Sequence, residues 1–116
     1  NTYKRIVADK PCPTITRNFT VPSASNCIHP WLNRALTIRE GARMQSFTDD
    51  YPFFGSETDV RIEIGNAVPP LMSLGLAVRL ASLAGFDFDT SKVEESACNL
   101  LNVKGLAIHG RKTILV

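Results

Sequence analysis

Residues 34–47 read Arg34-Ala35-Leu36-Thr37-Ile38-Arg39-Glu40-Gly41-Ala42-Arg43-Met44-Gln45-Ser46-Phe47. Thr37 and Glu40 have the spacing of a capping box: the threonine hydroxyl takes the amide three residues on, and the glutamate reaches back to the threonine amide. Ile38, Ala42 and the Met44–Gln45 region then share one face, so the pattern predicts a helix over 37–47. Gly41 lies inside it, where glycine costs about 1 kcal/mol relative to alanine. A glycine in that place predicts the close approach of another backbone.

Further along, Asp49-Asp50-Tyr51-Pro52 and Phe53-Phe54-Gly55 predict a loop over 48–56. Val60-Arg61-Ile62-Glu63-Ile64 alternates apolar and polar side chains, which is the strand period, yet Ser56 followed by Asp59 is a helix start. The pattern alone leaves both open. Pro69-Pro70 suits a first helical turn, and Gly85 suits a stop. Between them, Leu71, Met72, Leu74, Leu76, Ala77, Val78, Leu80, Ala81, Leu83 and Ala84 cover nearly every face of a helix over 69–84. Such a helix is expected to be buried on most sides. So short a chain has too little partner surface for it, which points to missing protein or to an oligomer. Ser91 and Glu94 form another capping box, and Val93, Ala97, Leu100 and Leu101 make one stripe, so a third helix is expected over 91–104, before Gly105. Leu106–Val116 resembles a short hairpin around His109-Gly110.

On the other side, Pro11, Pro13, Pro22 and Pro30 break up residues 1–30. Short strands are expected near Lys4–Val7 and Thr14–Arg17, joined by loops. The segment holds little apolar mass and must lean on something else.

Composition sets outer limits. Apolar residues at 44% and charged residues at 21% exclude a disordered tail, and 116 residues allow one core but not a cofactor domain plus a substrate domain. The net charge of +2 hides an asymmetry. Residues 1–40 carry six basic side chains (Lys4, Arg5, Lys10, Arg17, Arg34, Arg39) against two acids, Asp9 and Glu40. A basic end favours a polyanion, although a solvated basic face is the commoner reason for so small a surplus. The three cysteines, Cys12, Cys27 and Cys98, are too few and too irregular for a disulfide framework and fit a reducing cytoplasm. Only Cys27 and His29 lie close together, so no metal centre is expected. The run Leu71–Ala84 is broken by Ser73, Arg79 and Ser82 and is too short to span a bilayer, so no membrane partner is expected. Glu94-Glu95 and Asp49-Asp50 are adjacent carboxylates that read as solvated surface. No Ser/His/Asp set and no glycine-rich phosphate loop is present. The chain begins at Asn1 and ends on Thr113-Ile114-Leu115-Val116; both ends look cut, and a piece of something longer is expected.

Two stretches go further. Residues 34–47 closely resemble a late motif of the DNA cytosine-5 methyltransferases, which runs Arg-x-Leu-Thr-x-Arg-Glu-x-Ala-Arg-x-Gln-x-Phe-Pro-Asp. Gly65-Asn66-Ala67-Val68-Pro69-Pro70 resembles that family's final motif. Pro13-Thr14-Ile15-Thr16 resembles the Thr-Ile or Thr-Leu pair that closes its target-recognition region, and His29-Pro30 fits the approach to the late motif. Order, spacing and identity agree from Lys10 to Leu80. Thr48 stands where the family usually has proline, and Glu63 where it usually has glutamine. The family favours a short helix before its final motif, which tips Ser56–Ile64 from strand to helix.

The resemblance implies methyl transfer from S-adenosyl-L-methionine to C5 of cytosine in double-stranded DNA, on a base flipped out of the duplex. It also implies that the Pro-Cys nucleophile motif and the glycine-rich cofactor motif are absent here. Pro11-Cys12-Pro13 is out of order for the nucleophile, and Cys12 reads as an ordinary small side chain. No catalytic residue is therefore expected. Gly65, Asn66 and Ala67 carry over as cofactor contacts; a glycine–asparagine turn beside a helix also makes a plain cap. Thr14, with Thr16 and Arg17, carries over as a phosphate contact. Arg34, Arg39, Glu40 and Arg43 carry over as scaffold, with Glu40 as a cap and Arg39 as an ion-pair partner.

The expected class is α+β: short N-terminal strands and loops, then three or four helices, forming a fragment of a Rossmann-like methyltransferase fold. Residues 1–30 would close the target-recognition region, 31–84 would hold the late motifs and the helix returning to the cofactor domain, and 85–116 would be an extension. The expected partners are duplex DNA, the N-terminal catalytic portion of the same enzyme, and a second copy of the piece. A bacterial, cytoplasmic protein of a restriction-modification pair is implied. The alternatives are the specificity subunit of a split methyltransferase, or a decayed relative acting only through protein contacts.

Overall fold

The computed structural model describes residues 3–101. Four helices follow in order: α1 (Ile38–Met44), α2 (Glu57–Asn66), α3 (Pro70–Leu83) and α4 (Thr90–Leu101). They belong to two compact units, Asn1–Ala67 and Val68–Val116.

The first unit is built around α1 and α2. Both capping boxes form: Thr37 with Glu40 starts α1, and Ser56 with Asp59 starts α2. The stretch 56–64 is thus a helix. Its alternating pattern was a poor guide because Val60 and Ile64, four apart, face inward, while Ile62 is left at the surface. α1 is shorter than 37–47. It ends at Met44 because Ser46 enters the left-handed region at φ 61°. The Phe47 amide then reaches the Ala42 carbonyl at 3.0 Å, and the Ser46 amide reaches the Arg43 carbonyl at 2.9 Å. These are the two bonds of a Schellman stop.

The two strands expected near Lys4–Val7 and Thr14–Arg17 do not form. Among the described residues the pairing is limited to isolated bridges, Arg5 with Ile28 and Ile28 with Ala35. Four prolines deny this region the unbroken run of amide donors that a ladder needs. Burial holds the segment instead. Ile6, Ile15, Phe19 and Cys27 pack with Leu36, Ala42, Val60 and Ile64 into one core. Gly41 belongs to this packing, but a side chain approaches it rather than a backbone. A Cβ at Gly41 would stand 2.5 Å from Cζ of Phe19, a fully buried ring.

In the second unit α3 and α4 pack on each other. Leu71, Leu74, Val78 and Ala81 are half-buried, and Ala97 of α4 is buried. Gly85, at φ 74°, stops α3 with a second Schellman pair: Phe86 to Ala81 at 3.0 Å and Gly85 to Ser82 at 3.3 Å. The expectation that this helix is buried on most sides is not met, because no residue of α3 is buried. Met72, Leu76, Leu80 and Leu83 form one face and are 51–67% exposed. α4 begins one residue before Ser91, with Asp89 accepting the Ser91 amide at 3.0 Å, so Asp89 and not Ser91 caps it. The expected hairpin over 106–116 lies outside the described residues.

The stretch Glu57–Leu83 is apolar enough on average, and long enough, to cross a membrane. It is not one helix, however: the ladder is broken between Asn66 and Pro70, and α2 carries Glu57, Asp59, Arg61 and Glu63. α3 alone, at 14 residues, extends about 21 Å, short of the ~30 Å hydrocarbon core.

Candidate functional site

Glu40 organises the entry to α1. Its carboxylate takes both arms of Arg34, Nη1 at 2.7 Å and Nη2 at 2.8 Å, and the Thr37 amide at 2.8 Å. His29 Nε2 stands 3.7 Å away, while its Nδ1 accepts the amides of Trp31 and Leu32. The Arg34 fork, followed by the Thr37 donors, holds the Glu40 carboxyl down to about 2 from an ordinary 4.5, against the opposing effect of burial.

The sign of the pH dependence follows. A lowered folded-state pKa gives stability that is present above the ordinary carboxylate value and is lost as pH falls toward 2. Both side chains are partly exposed, so solvent screening keeps the pair's contribution well below what the shift alone would give. Urea unfolding should give a constant free energy from pH 7 to about pH 5 and a decline between pH 4 and pH 2. Glu40→Gln should remove that part of the decline; an unchanged acid limb in the variant would refute the assignment.

Arg39 does not make the expected ion pair. Its guanidinium donates to the carbonyls of Thr48 and Tyr51, at 3.4 and 3.3 Å, and lies 5.3 Å from the Phe53 ring centre. It therefore pins the loop after α1. Arg43 carries the ion pair instead, bidentate to Asp49 at 2.5 and 2.6 Å. Asp49 is half exposed, and the Arg43 bonds hold its carboxyl below the usual range. Arg34 and Glu40 bond to each other, Arg39 to backbone carbonyls and Arg43 to Asp49, so all four are engaged within the protein.

That loop makes an aromatic wall. Phe47, Tyr51 and Phe53 stand 4.9–5.4 Å apart, ring centre to ring centre, in tilted and edge-on geometry. With Pro52, Phe54, Glu63 and Ala67 they line an open cleft of about 470 Å³. The sequence predicts only a loop over 48–56. Its aromatic content was visible, but nothing in the pattern indicated that α2 would supply the opposite side.

Gly65, Asn66 and Ala67 lie where α2 ends. Asn66 is the last helical residue, and among the described residues its exposed side chain makes no hydrogen bond. Ala67 caps the helix and lines the cleft. Buried Gln45 holds the turn from below, its Nε2 donating to the Ile64 carbonyl at 3.0 Å and toward the Ala67 carbonyl at 3.5 Å. Gln45 was read only as one residue of a helix face. A buried amide among apolar neighbours must find acceptors, and the ragged carbonyls of a helix end supply them.

Thr14, Thr16 and Arg17 are all exposed, and Ile15 between the threonines is 5% exposed in the core. Burial of Ile15 thus turns both hydroxyls outward. The same segment passes against the end of α2: a Cβ at Gly65 would stand 2.5 Å from the carbonyl carbon of Thr16 and closer still to the Arg17 backbone. The structure therefore brings together Thr14–Arg17 and Gly65–Ala67. Arg34, Glu40 and Arg43 lie in the scaffold behind them.

Cys12 lacks the character of a nucleophile. Burial of the thiol, then the neighbouring Cys27, pushes it up to about 11, which leaves almost no thiolate at neutral pH. Its sulfur lies 3.2 Å from both the Pro13 carbonyl and Met44 Sδ. No cluster of three or more metal-ligating side chains occurs among the described residues.

Comparison with known proteins gives the family. The family model described as C-5 cytosine-specific DNA methylase matches residues 2–81. The type II methyltransferase M.DdeI of Desulfomicrobium norvegicum is 49% identical over 80 residues, covering 62% of this chain and 18% of that protein. M.AgeI of Thalassovita gelatinovora is 40% identical over 77 residues, 66% of this chain and 18% of that protein. The DNA (cytosine-5)-methyltransferase CMT3 of Arabidopsis thaliana is 41% identical over 81 residues, 68% of this chain and 10% of that protein. The chain spans less than a fifth of the length of these relatives. No solved structure matches the chain. With both capped helices, the glycine–asparagine turn and the threonine segment all inside the matched span, the chain belongs to the C-5 cytosine-specific DNA methylase family.

Proposed function

We propose that this chain is the C-terminal portion of a DNA cytosine-5 methyltransferase, and that the whole enzyme transfers a methyl group from S-adenosyl-L-methionine to cytosine C5 in duplex DNA. In this reading residues up to about 30 close the target-recognition region, and α3 returns to the cofactor domain. Residues from 85 onward are an extension, and the enzyme works in the cytoplasm beside a restriction partner. The observation that carries it is the close contact of the Thr16–Arg17 backbone with Gly65, which puts the segment bearing exposed Thr14 and Thr16 against the helix end bearing exposed Asn66.

The residues fit the cofactor in part. Asn66 offers a free amide, and Ala67 borders an aromatic cleft that also holds the Glu63 carboxylate. Such a cleft suits a ligand with an apolar body and a cationic group. When bound, S-adenosyl-L-methionine supplies the methyl group on a sulfonium. This chain's own part is to hold one edge of it, and to set Thr14 and Thr16 as donors to the DNA backbone. The nucleophile would come from elsewhere in the enzyme, since Pro11-Cys12-Pro13 is out of order for the family's Pro-Cys motif.

Two results are expected. The 116-residue chain mixed with duplex DNA and labelled S-adenosyl-L-methionine gives no methyl incorporation above background; incorporation would refute the division of labour. In the whole enzyme, Asn66→Ala raises the dissociation constant for S-adenosyl-L-methionine about tenfold. The melting temperature should hold, because an exposed residue at a helix end changes stability by only about 0.5 kcal/mol. Unchanged cofactor affinity would remove Asn66 from the site. The open face of α3 also predicts that the 116-residue chain self-associates. Light scattering that gives a concentration-independent monomer would count against that.

A further inference from the structure

Gly65 is helical, and its φ does not demand glycine. What demands glycine is space: the face where a side chain would stand is filled by the backbone of Thr16 and Arg17. We infer that Gly65 is a positioning residue for the DNA-facing segment, locking Thr14 and Thr16 against the cofactor turn, rather than a glycine kept open for the cofactor. This deepens the function proposed above and rests on it.

The two sides of the contact are unequally held. Gly65 lies in the last turn of a helix whose inner face is anchored by fully buried Ile64, and Gln45 grips the Ile64 carbonyl. Residues 14–17 are irregular, anchored through Ile15 and through the Phe19 amide on the Thr16 carbonyl at 3.0 Å. A Cβ placed at 65 must therefore displace the segment and not the helix. Ordinary van der Waals contact lies at 3.4–4 Å, so the Thr16 carbonyl carbon, at 2.5 Å, has to retreat by roughly 1 Å. Misplacement on that scale is enough to disable a positioned group. Asn66, on the helix side, stays where it is.

The test is Gly65→Ala in the whole enzyme, read on DNA and on cofactor separately. The expected result is a KM for duplex DNA raised about tenfold, with the dissociation constant for S-adenosyl-L-methionine within twofold of the parent. Weakened cofactor binding with an unchanged DNA KM would overturn the inference, and so would no change in either. A double-mutant cycle with Thr14→Ala adds a readout that a merely structural role would not move. If Gly65 acts by placing Thr14, adding Gly65→Ala to Thr14→Ala should raise the DNA KM less than twofold further; full additivity would overturn the inference. Should Gly65→Ala fail to fold, Ile15→Val loosens the core anchor of the segment without touching the turn or an exposed side chain, and the same cycle applies. A non-additive rise in DNA KM with cofactor affinity intact supports the lock, and an additive one overturns it. A parent enzyme without methyl transfer would refute the function itself, a failure visible before any variant is made.

Discussion

Phe19→Ala should destabilise the unit Asn1–Ala67 by about 3–5 kcal/mol, the usual cost of removing a buried phenyl ring. Phe19 is fully buried and packs in the core that joins the proline-rich segment to α1 and α2. Its backbone is also in use: the Phe19 amide donates to Thr16, and its carbonyl accepts the buried Ser25 hydroxyl at 3.3 Å. Removing the ring leaves a cavity beneath Gly41, which has no side chain to relax into it. Small domains have about 5–15 kcal/mol in total, so most of the margin goes. Urea unfolding followed by circular dichroism should show a midpoint far below that of the parent. A loss under 1 kcal/mol would mean that the ring does not hold the segment down.

That prediction sits where the sequence was hardest to read. The start of α1 was legible because its signal is local, whereas Ser56 with Asp59 left strand and helix open until the family resemblance tipped 56–64 to helix. Thr37 with Glu40 and Ser56 with Asp59 each act within four residues, and the structure forms both boxes. Gly85 as a stop is equally local. The proline-rich start was misread as strands because Ile6 and Ile15 look like strand residues but serve as single anchors. They are 5% exposed without any ladder around them. Nothing local says that Phe19 will cover Gly41, or that Thr16 will cover Gly65.

The candidate site divides in the same way. Asn66 and Thr14 could be picked out through a resemblance in motif and order. The side chains that hold them in relation to each other could not. The Gln45 bond to Ile64 and the Gly65 contact with Thr16 are long-range, 19 and 49 positions apart. Arg39 shows the limit of reading by resemblance: an ion pair was expected of it, and its partners are of another kind. It bonds carbonyls and an aromatic ring, while Arg34 and Arg43 take the carboxylates.

Gly41 gives the second large effect and a change of sign that tests the packing argument. Alanine in place of glycine inside a helix normally stabilises by about 1 kcal/mol. Here the added Cβ would meet the Phe19 ring, and the ring has no free space to enter because it is fully buried. Overpacking of that kind costs about 1–3 kcal/mol, so Gly41→Ala should be net destabilising. Gly41→Val, larger and β-branched, should lose about 3 kcal/mol. In the Phe19→Ala background the clash is gone and the cavity is present. Gly41→Ala should then stabilise, by the ~1 kcal/mol of helix propensity or more. The two substitutions are thus expected to couple strongly, as residues in direct contact do. Four urea curves measure it: parent, each single variant and the double. If Gly41→Ala has the same sign in both backgrounds, glycine at 41 is not explained by the ring, and the close approach that the sequence suggested must come from elsewhere.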